Sequence, residues 1–235
     1  MAQNIWFTSD QHYGHQNVLK FCKRPYANLD DMREGLIHNH NSVVKKGDLV
    51  YNIGDMFWRT LPVPEAASIL LRLNGNHYYV NGNHEELIER NKSIAGLFIW
   101  RKDIAKLKID DYPRVILCHY AMRVWEGSHK GDWHLYGHSH NGLSKSGQGM
   151  TKEESPLSFD VGVDAQQMFP ISLEEVALRM ADIKKGWEMI VFYCPECGHE
   201  FIATDRNTKI CTKCDAEMVL RNKEVRDTFP REESK

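Results

Sequence analysis

Aspartate, asparagine and histidine recur in this chain just after short apolar runs. Asp10 and His12 follow Ile5-Trp6-Phe7, and Asp55 follows the run Leu49 to Ile53 and a glycine. Asn83, His84 and Glu85 follow Tyr78 to Val80, His119 follows Val115 to Cys118, and His138 and His140 follow Trp133 to Tyr136. Carboxylate, amide and imidazole donors of this kind suit first-row divalent metals. Seven of these residues (Asp10, His12, Asp55, Asn83, His119, His138 and His140) are candidate ligands. That is too many for one ion and fits two ions that share a carboxylate. A second constellation is chemically different. Cys194-Pro195-Glu196-Cys197 and Cys211-Thr212-Lys213-Cys214 are separated by thirteen residues. Four thiolates in two C-x2-C pairs make a closed tetrahedral zinc site. Two pairs favour structural zinc over a redox dithiol, with His199 a weak substitute ligand.

The elements that must position these groups are short strands alternating with helices. The five apolar runs carry β-branched or aromatic residues and have strand length. Asp30 is placed to cap a helix running to about Val44, with Met32, Leu36, Val43 and Val44 among its apolar positions. Pro64 is suited to open a helix that stops at Gly75, read as its C-terminal cap. Ser172-Leu173-Glu174-Glu175 is a capping box, and Leu173, Val176, Ala177, Met180 and Ile183 then form one apolar face. Lys184-Lys185-Gly186 is read as the end of that helix. The pattern predicts an α/β (α+β) layered domain over 1–186, with donors at the C-terminal edge of the strands, where such sheets place their sites. A cysteine module over 187–220 follows, with strands at Glu188 to Tyr193 and around Phe201 to Thr204. Around thirty residues bury little core, so the zinc would supply its folding energy. Residues 142–156 read as an exposed loop and 221–235 as a charged tail. Gly-Asn-His occurs twice, at 75–77 and 82–84. Only the second copy follows an apolar run, so it supplies Asn83 and His84.

Composition narrows the function. The chain has 235 residues, 42% of them hydrophobic, and a net charge of -2, which suits a globular domain and argues against bulk-charge binding to nucleic acid. The N-terminus has no signal-peptide pattern, and no apolar run is long enough to span a membrane. Clustered cysteines point to a reducing compartment, the cytoplasm, with Cys22 and Cys118 as small buried hydrophobes. His38, His40, His77 and His134 read as structural or exposed. Trp58 and Trp125 read as core or rim packing. His15, Arg123 and His129 lie in loops near the ligands and are candidates for phosphate contact.

The order D-x-H, G-D, G-N-H-E, H, G-H-x-H over roughly residues 4–180 resembles the calcineurin-like metallophosphoesterases. WFTSDQHYGHQN at 6–17 and LYGHSH at 135–140 resemble the small stand-alone members of bacteria and phages. The resemblance implies a two-sheet sandwich flanked by helices and a dinuclear centre of manganese, iron, nickel or zinc. It implies that Asp10, His12, Asp55 and His140 hold the first ion and Asp55, Asn83, His119 and His138 the second. Asp55 would bridge through its two oxygens. His84 would bind no metal and would aid the leaving group. The reaction implied is phosphoester hydrolysis by hydroxide held between the ions. Protein phosphatases of the superfamily carry Asp-Arg-Gly soon after Gly-Asp, whereas here Gly54-Asp55 continues Met56-Phe57-Trp58-Arg59. A small phosphodiester or nucleotide is therefore the expected substrate, ahead of a monoester or a nuclease substrate. A metal-free scaffold would show broken ligands, and all seven are intact. The cysteine module resembles a zinc ribbon. With eight basic and ten acidic residues from Glu188 to Lys235, it favours docking to protein or the substrate's edge over phosphate-backbone binding.

Overall fold

Each of the five apolar runs becomes a strand, and parallel pairing turns their C-terminal ends to shared edges. The computed structural model describes residues 3–143, 157–188, 190–197, 200–203, 209–210, 214 and 217–220. The chain begins with β1 (Ile5–Thr8), α1 (Val18–Phe21), α2 (Leu29–Val43), β2 (Leu49–Asn52), α3 (Val63–Arg72) and β3 (Asn76–Val80). Then come α4 (Glu86–Arg90), α5 (Lys92–Ala95), β4 (Arg101–Lys102), β5 (Ile104–Leu107), β6 (Val115–Cys118) and β7 (Trp133–Tyr136). β8 (Ser158–Asp160), β9 (Ile171–Ser172) and α6 (Leu173–Glu188) complete the larger part. β10 (Ile190–Tyr193), β11 (Glu200–Ala203), β12 (Lys209–Ile210) and β13 (Glu217–Leu220) follow.

The first sheet has the order β4-β3-β2-β1-β9, parallel except for β9. The second has the order β5-β6-β7-β8, parallel except for β5. Phe7, Ile53 and Val80 from the first sheet meet Ala105, Leu117 and Leu135 from the second in one core, which Val176 and Met180 of α6 join. A second core packs Met32 and Leu36 of α2 and Ile69 and Leu70 of α3 on the other face of the first sheet, against Tyr79 and Met56. Each large apolar side chain so buried contributes about 1.5–3 kcal/mol. The molecule is thus the expected two-sheet sandwich flanked by helices. Neighbouring residues of β3 show the alternation directly, with Tyr79 in one core and Val80 in the other. β10 to β13 form a separate four-stranded sheet in the order β11-β10-β13-β12, antiparallel throughout.

Several boundaries differ from the sequence reading. The cap of α2 is Asn28, not Asp30: its extended backbone lets its side chain accept the Asp31 N–H at 2.9 Å, while Asp30 and Asp31 occupy the first turn. α3 begins after Pro62 and ends at Arg72, so Gly75 lies beyond the cap. Gly75 has φ +106°, and a Cβ there would lie 2.7 Å from Val50 Cγ2, so its role is the tight turn into β3. α6 runs through Gly186 to Glu188, since one interior glycine costs only about 1 kcal/mol. The module's first strand accordingly starts at Ile190. The Ser172 capping box is present: Ser172 Oγ accepts the Glu175 N–H at 3.2 Å and Glu175 Oε2 accepts the Ser172 N–H at 2.9 Å. β4 and β9, two residues each, and the half-exposed edge strand β5 carry too little pattern to read. Residues 144–156 and 221–235, read as loop and tail, lie outside the described residues, as does Cys211. Among the described residues no helix is long and apolar enough to cross a membrane.

Candidate metal centre

The ends of β1, β2, β3, β6 and β7 meet where the two sheets join. Backbone hydrogen bonds set the loops against one another: Asp10 N–H to Gly54 O at 3.1 Å, His12 N–H to Asp55 O at 3.0 Å and Gly137 N–H to His119 O at 3.0 Å. Five of the candidate ligands leave their strands in the left-handed backbone region, with φ of 59° at Asp10, 52° at His12, 55° at Asp55, 64° at His138 and 45° at His140. For non-glycine residues such conformations cost of order 1–3 kcal/mol each and persist only where the surroundings hold them. Here they turn each side chain sharply inward from the end of its strand.

The donors gather in two groups. Asp10, His12 and His140 form one and Asp55, His119 and His138 the other, with the donor atoms of each within 4.8 Å of one another. Asp55 links them. Its Oδ2 lies 3.6 Å from His12 Nε2 and 3.5 Å from His119 Nε2. Its Oδ1 accepts the N–H groups of Asn83 at 2.9 Å and His84 at 3.0 Å. The expectation that both oxygens face the ions therefore changes. Two backbone donors occupy the lone pairs of Oδ1, and Oδ2 alone points between the groups. Asn83 Oδ1 stands 3.0 Å from His119 Nε2, and His119 Nδ1 faces the Ile53 carbonyl at 2.7 Å.

This donor set fits divalent cations. His12 Nε2 is 3.8 Å from Asp10 Oδ1 and 3.6 Å from Asp55 Oδ2, too far for hydrogen bonds and close enough to share an ion. With Nδ1–H of His119 directed at a carbonyl, its Nε2 lone pair meets oxygen acceptors of Asn83 and Asp55, an arrangement that calls for positive charge between them. Burial, helped by Asp55 and Asp160, pushes the Asp10 carboxyl up to about 6 against the pull of His119 and His140. Burial lowers His12 to about 3, which leaves a neutral imidazole able to donate to a metal. Burial would raise Asp55, but His119, His12 and the His84 N–H outweigh it and hold it at about 2.

Further residues, which sequence reasoning missed, brace these loops. Glu85 is buried, and its Oε1 accepts the N–H of Asp55 at 3.0 Å, the N–H of Gly82 at 2.8 Å and the Tyr79 hydroxyl at 2.9 Å. Asp160 accepts the Ser139 hydroxyl at 2.5 Å and the Asn141 N–H at 3.0 Å, bracing the Gly137-to-His140 loop. Asp164 accepts from His140 Nδ1 at 2.6 Å and is held in turn by Arg24. The only local signals were the Glu85 position in G-N-H-E and the acidic residues Asp160, at the end of β8, and Asp164, just after it.

His84 lies beside the cluster, its ring 5.6 Å from that of His12 and 4.9 Å from that of Trp58. His15 stacks on Trp58 at 3.7 Å, nearly parallel, and sits 5.4 Å from His12, which places Trp58 on the site's rim. Tyr120, half-exposed, packs edge-on against His119 and His138. Arg123 and His129 are exposed on the connection between β6 and β7, and no described contact joins His129 to the cluster. Trp125 is buried in the inter-sheet core. His134 is buried between the Met122 N–H and the Ile116 carbonyl, and His77 stacks on His40 behind the first sheet. Cys118 is buried, but Cys22 is only half-buried and lies close to His140 and Asp164, so it is no plain core residue.

Residues 3–120 match the family model described as calcineurin-like phosphoesterase. The chain belongs to that family. The matched half holds Asp10, His12, Asp55, Asn83, His84 and His119, while His138 and His140 lie beyond it. The chain is 36% identical over 92 residues to an uncharacterized protein of Methanocaldococcus jannaschii, a match that covers 39% of the chain and 52% of that protein. The chain thus spans about half the length of that relative. It is 27% identical over 206 residues to the Gene 66 protein of Mycobacterium phage D29, covering 78% of the chain and 98% of that protein. The crystal structure of a protein of unknown function from Aquifex aeolicus shares the fold, with a TM-score of 0.59 at 22% identity over 76% of this chain and all of the other. Membership of the family indicates a metal-dependent phosphoester hydrolase.

Beside the strands of the C-terminal sheet, Cys194 Sγ lies 3.3 Å from Cys214 Sγ, which lies 3.6 Å from Cys197 Sγ. Tetrahedral zinc with bonds of about 2.3 Å spaces its sulfurs about 3.8 Å apart, so the three described thiols gather at nearly that spacing.

Proposed function

We propose that this phosphoesterase binds two divalent ions, manganese, iron, nickel or zinc, and hydrolyses a small phosphodiester or nucleotide. The supporting observation is the position of Asp55 Oδ2, within 3.6 Å of a histidine from each donor group. Asp10, His12, Asp55 and His140 would hold one ion, and Asp55, Asn83, His119 and His138 the other. When bound, such a pair supplies Lewis acidity and water activation. His84 stands outside both groups and would donate a proton, or stabilise charge, at the leaving oxygen. His15, Arg123 and His129 would contact phosphate, with the His15–Trp58 stack giving the rim a flat apolar face for an aromatic or base-bearing leaving group. The cysteine module would hold one structural zinc through Cys194, Cys197, Cys211 and Cys214, and would dock to a protein partner, which its charge balance favours over a nucleic-acid partner. A reducing, cytoplasmic setting suits its thiols.

A panel of mono- and diesters with added manganese tests this reading. Diesters should be cleaved fastest. His84→Ala should keep both ions and lose about 10²–10⁴-fold in turnover. The loss should be smaller for a nitrophenolate leaving group, which needs no proton. Tight uptake of two ions without hydrolysis of any ester would refute the enzyme reading in favour of a scaffold.

A further inference from the structure

Arg24 and Asp164 are 140 positions apart and bind each other through two hydrogen bonds, Nε to Oδ1 at 2.8 Å and Nη2 to Oδ2 at 2.7 Å. Both are buried, with side-chain exposures of 0% and 6%. The rest of the guanidinium is directed at the backbone that carries the first motif. Nη2 also donates to the Asp10 carbonyl at 2.6 Å, and Nη1 donates to the Gln11 carbonyl at 2.7 Å. Those carbonyls belong to the turn in which Asp10 and His12 have φ of 59° and 52°. On its other side Asp164 Oδ2 accepts from His140 Nδ1 at 2.6 Å.

One guanidinium therefore fixes three donors together. It grips the strained turn of Asp10 and His12 directly and orients His140 through Asp164. A carboxylate on Nδ1 of a histidine fixes the ring and leaves Nε2 for a metal. Arg24 and Asp164 have no described contact with Asp55, His119 or His138. Arg24 makes four hydrogen bonds from three nitrogens, to both oxygens of Asp164 and to two carbonyls, whereas a lysine ammonium has three donors on a single atom and cannot span them.

We infer that Arg24 and Asp164 are positioning residues for one ion of the pair, the one held by Asp10, His12 and His140, and that they set its affinity selectively. This rests on the dinuclear reading above. Outer partners of metal-bound histidines typically govern affinity by about 10–100-fold.

The test is calorimetric titration of metal-stripped protein with manganese, with thermal melting of the stripped protein as a fold check. Wild type should take two equivalents; fewer would overturn the dinuclear reading itself. In an Asn83→Ala background, adding Asp164→Asn should weaken the remaining strong site by about 10–100-fold. In a His140→Ala background the same change should leave the remaining site within about two-fold. Arg24→Lys should reproduce the Asp164→Asn pattern despite its retained charge, and it provides the second variant if Asp164→Asn melts too low to titrate. Equal weakening in both backgrounds, no weakening in either, or wild-type affinity in Arg24→Lys would overturn the inference.

Discussion

Gly82→Ala should disable the metal centre without straining the backbone. Gly82 is not in the left-handed region, so only space is at issue. A Cβ there would lie 2.1 Å from Asp55 Oδ1 and 2.9 Å from Asp55 N. Restoring an ordinary contact requires the carboxylate to move by about 1 Å. That movement breaks the bonds from Asn83 N–H and His84 N–H, at 2.9 and 3.0 Å. Hydrogen bonds to a charged acceptor contribute about 1.5–3 kcal/mol each, so about 3–6 kcal/mol of restraint on Asp55 is lost. A reacting or coordinating group misplaced by about 1 Å commonly costs 10²-fold. Manganese affinity by calorimetry and turnover on the best ester should therefore both fall by at least about 10²-fold. Gly47→Ala is the control, because its Cβ would meet nothing within 4 Å. It should leave both quantities within about two-fold. Gly82→Ala protein that bound two ions at wild-type affinity would refute the claim that Asp55 Oδ1 is locked by the Asn83–His84 backbone.

Two other outcomes follow from parts of the molecule away from that contact. The double variant Cys197→Ser, Cys214→Ser should lose one zinc, measured by elemental analysis, while the remaining ions and turnover persist; loss of every ion from a folded domain would contradict the division into two sites. His77 stacks on His40 with neither ring nitrogen hydrogen-bonded, and burial, aided by His40, lowers it from 6.5 to about 4. Because its folded value lies below its unfolded one, its contribution is present above pH 6.5 and is lost as pH falls towards 4. A shift of this size corresponds to about 3 kcal/mol. Urea unfolding of metal-stripped protein should show the stability difference between wild type and His77→Leu moving by about that amount over this range, to the detriment of wild type at low pH. A difference that stays flat with pH would show that His77 does not stay neutral in the fold.

The ligand candidates could be read from the sequence because each follows a strand, and a strand announces itself locally through its apolar run. The layered α/β class was legible for the same reason, while the two-sheet sandwich came from the family resemblance and the Ser172 capping box from its own four residues. The braces were not. Arg24 meets Asp164 across 140 residues, and nothing near either residue indicates the meeting. Glu85 stands inside a recognisable motif, yet its three hydrogen bonds depend on how β2 and β3 align. The left-handed turns left only indirect traces, namely Gly54 beside Asp55 and Gly137 beside His138. A Cβ on Gly137 would lie 2.4 Å from Asp10 Oδ2. The single-oxygen geometry of Asp55 was hidden because it depends on which backbone N–H groups face the carboxylate. Asn28 took the cap from Asp30 through a backbone angle that composition does not reveal.

Because the donors come from the ends of both sheets, a pair of ions would act as rivets across the seam of the sandwich. Asp10, His12, Asp55 and Asn83 follow strands of one sheet, while His119, His138 and His140 follow strands of the other. Sliding one sheet against the other would pull the two sets apart, and without ions it would be resisted by apolar contacts of residues such as Phe7 and Leu117 and by hydrogen bonds across the seam such as His119 Nδ1 to the Ile53 carbonyl. Metal loading would then raise the free energy of that sliding motion and leave fraying at the far ends of the strands unchanged. Amide exchange in β6 and β7 would register the ions even though these strands lie beneath the ligands and touch no metal.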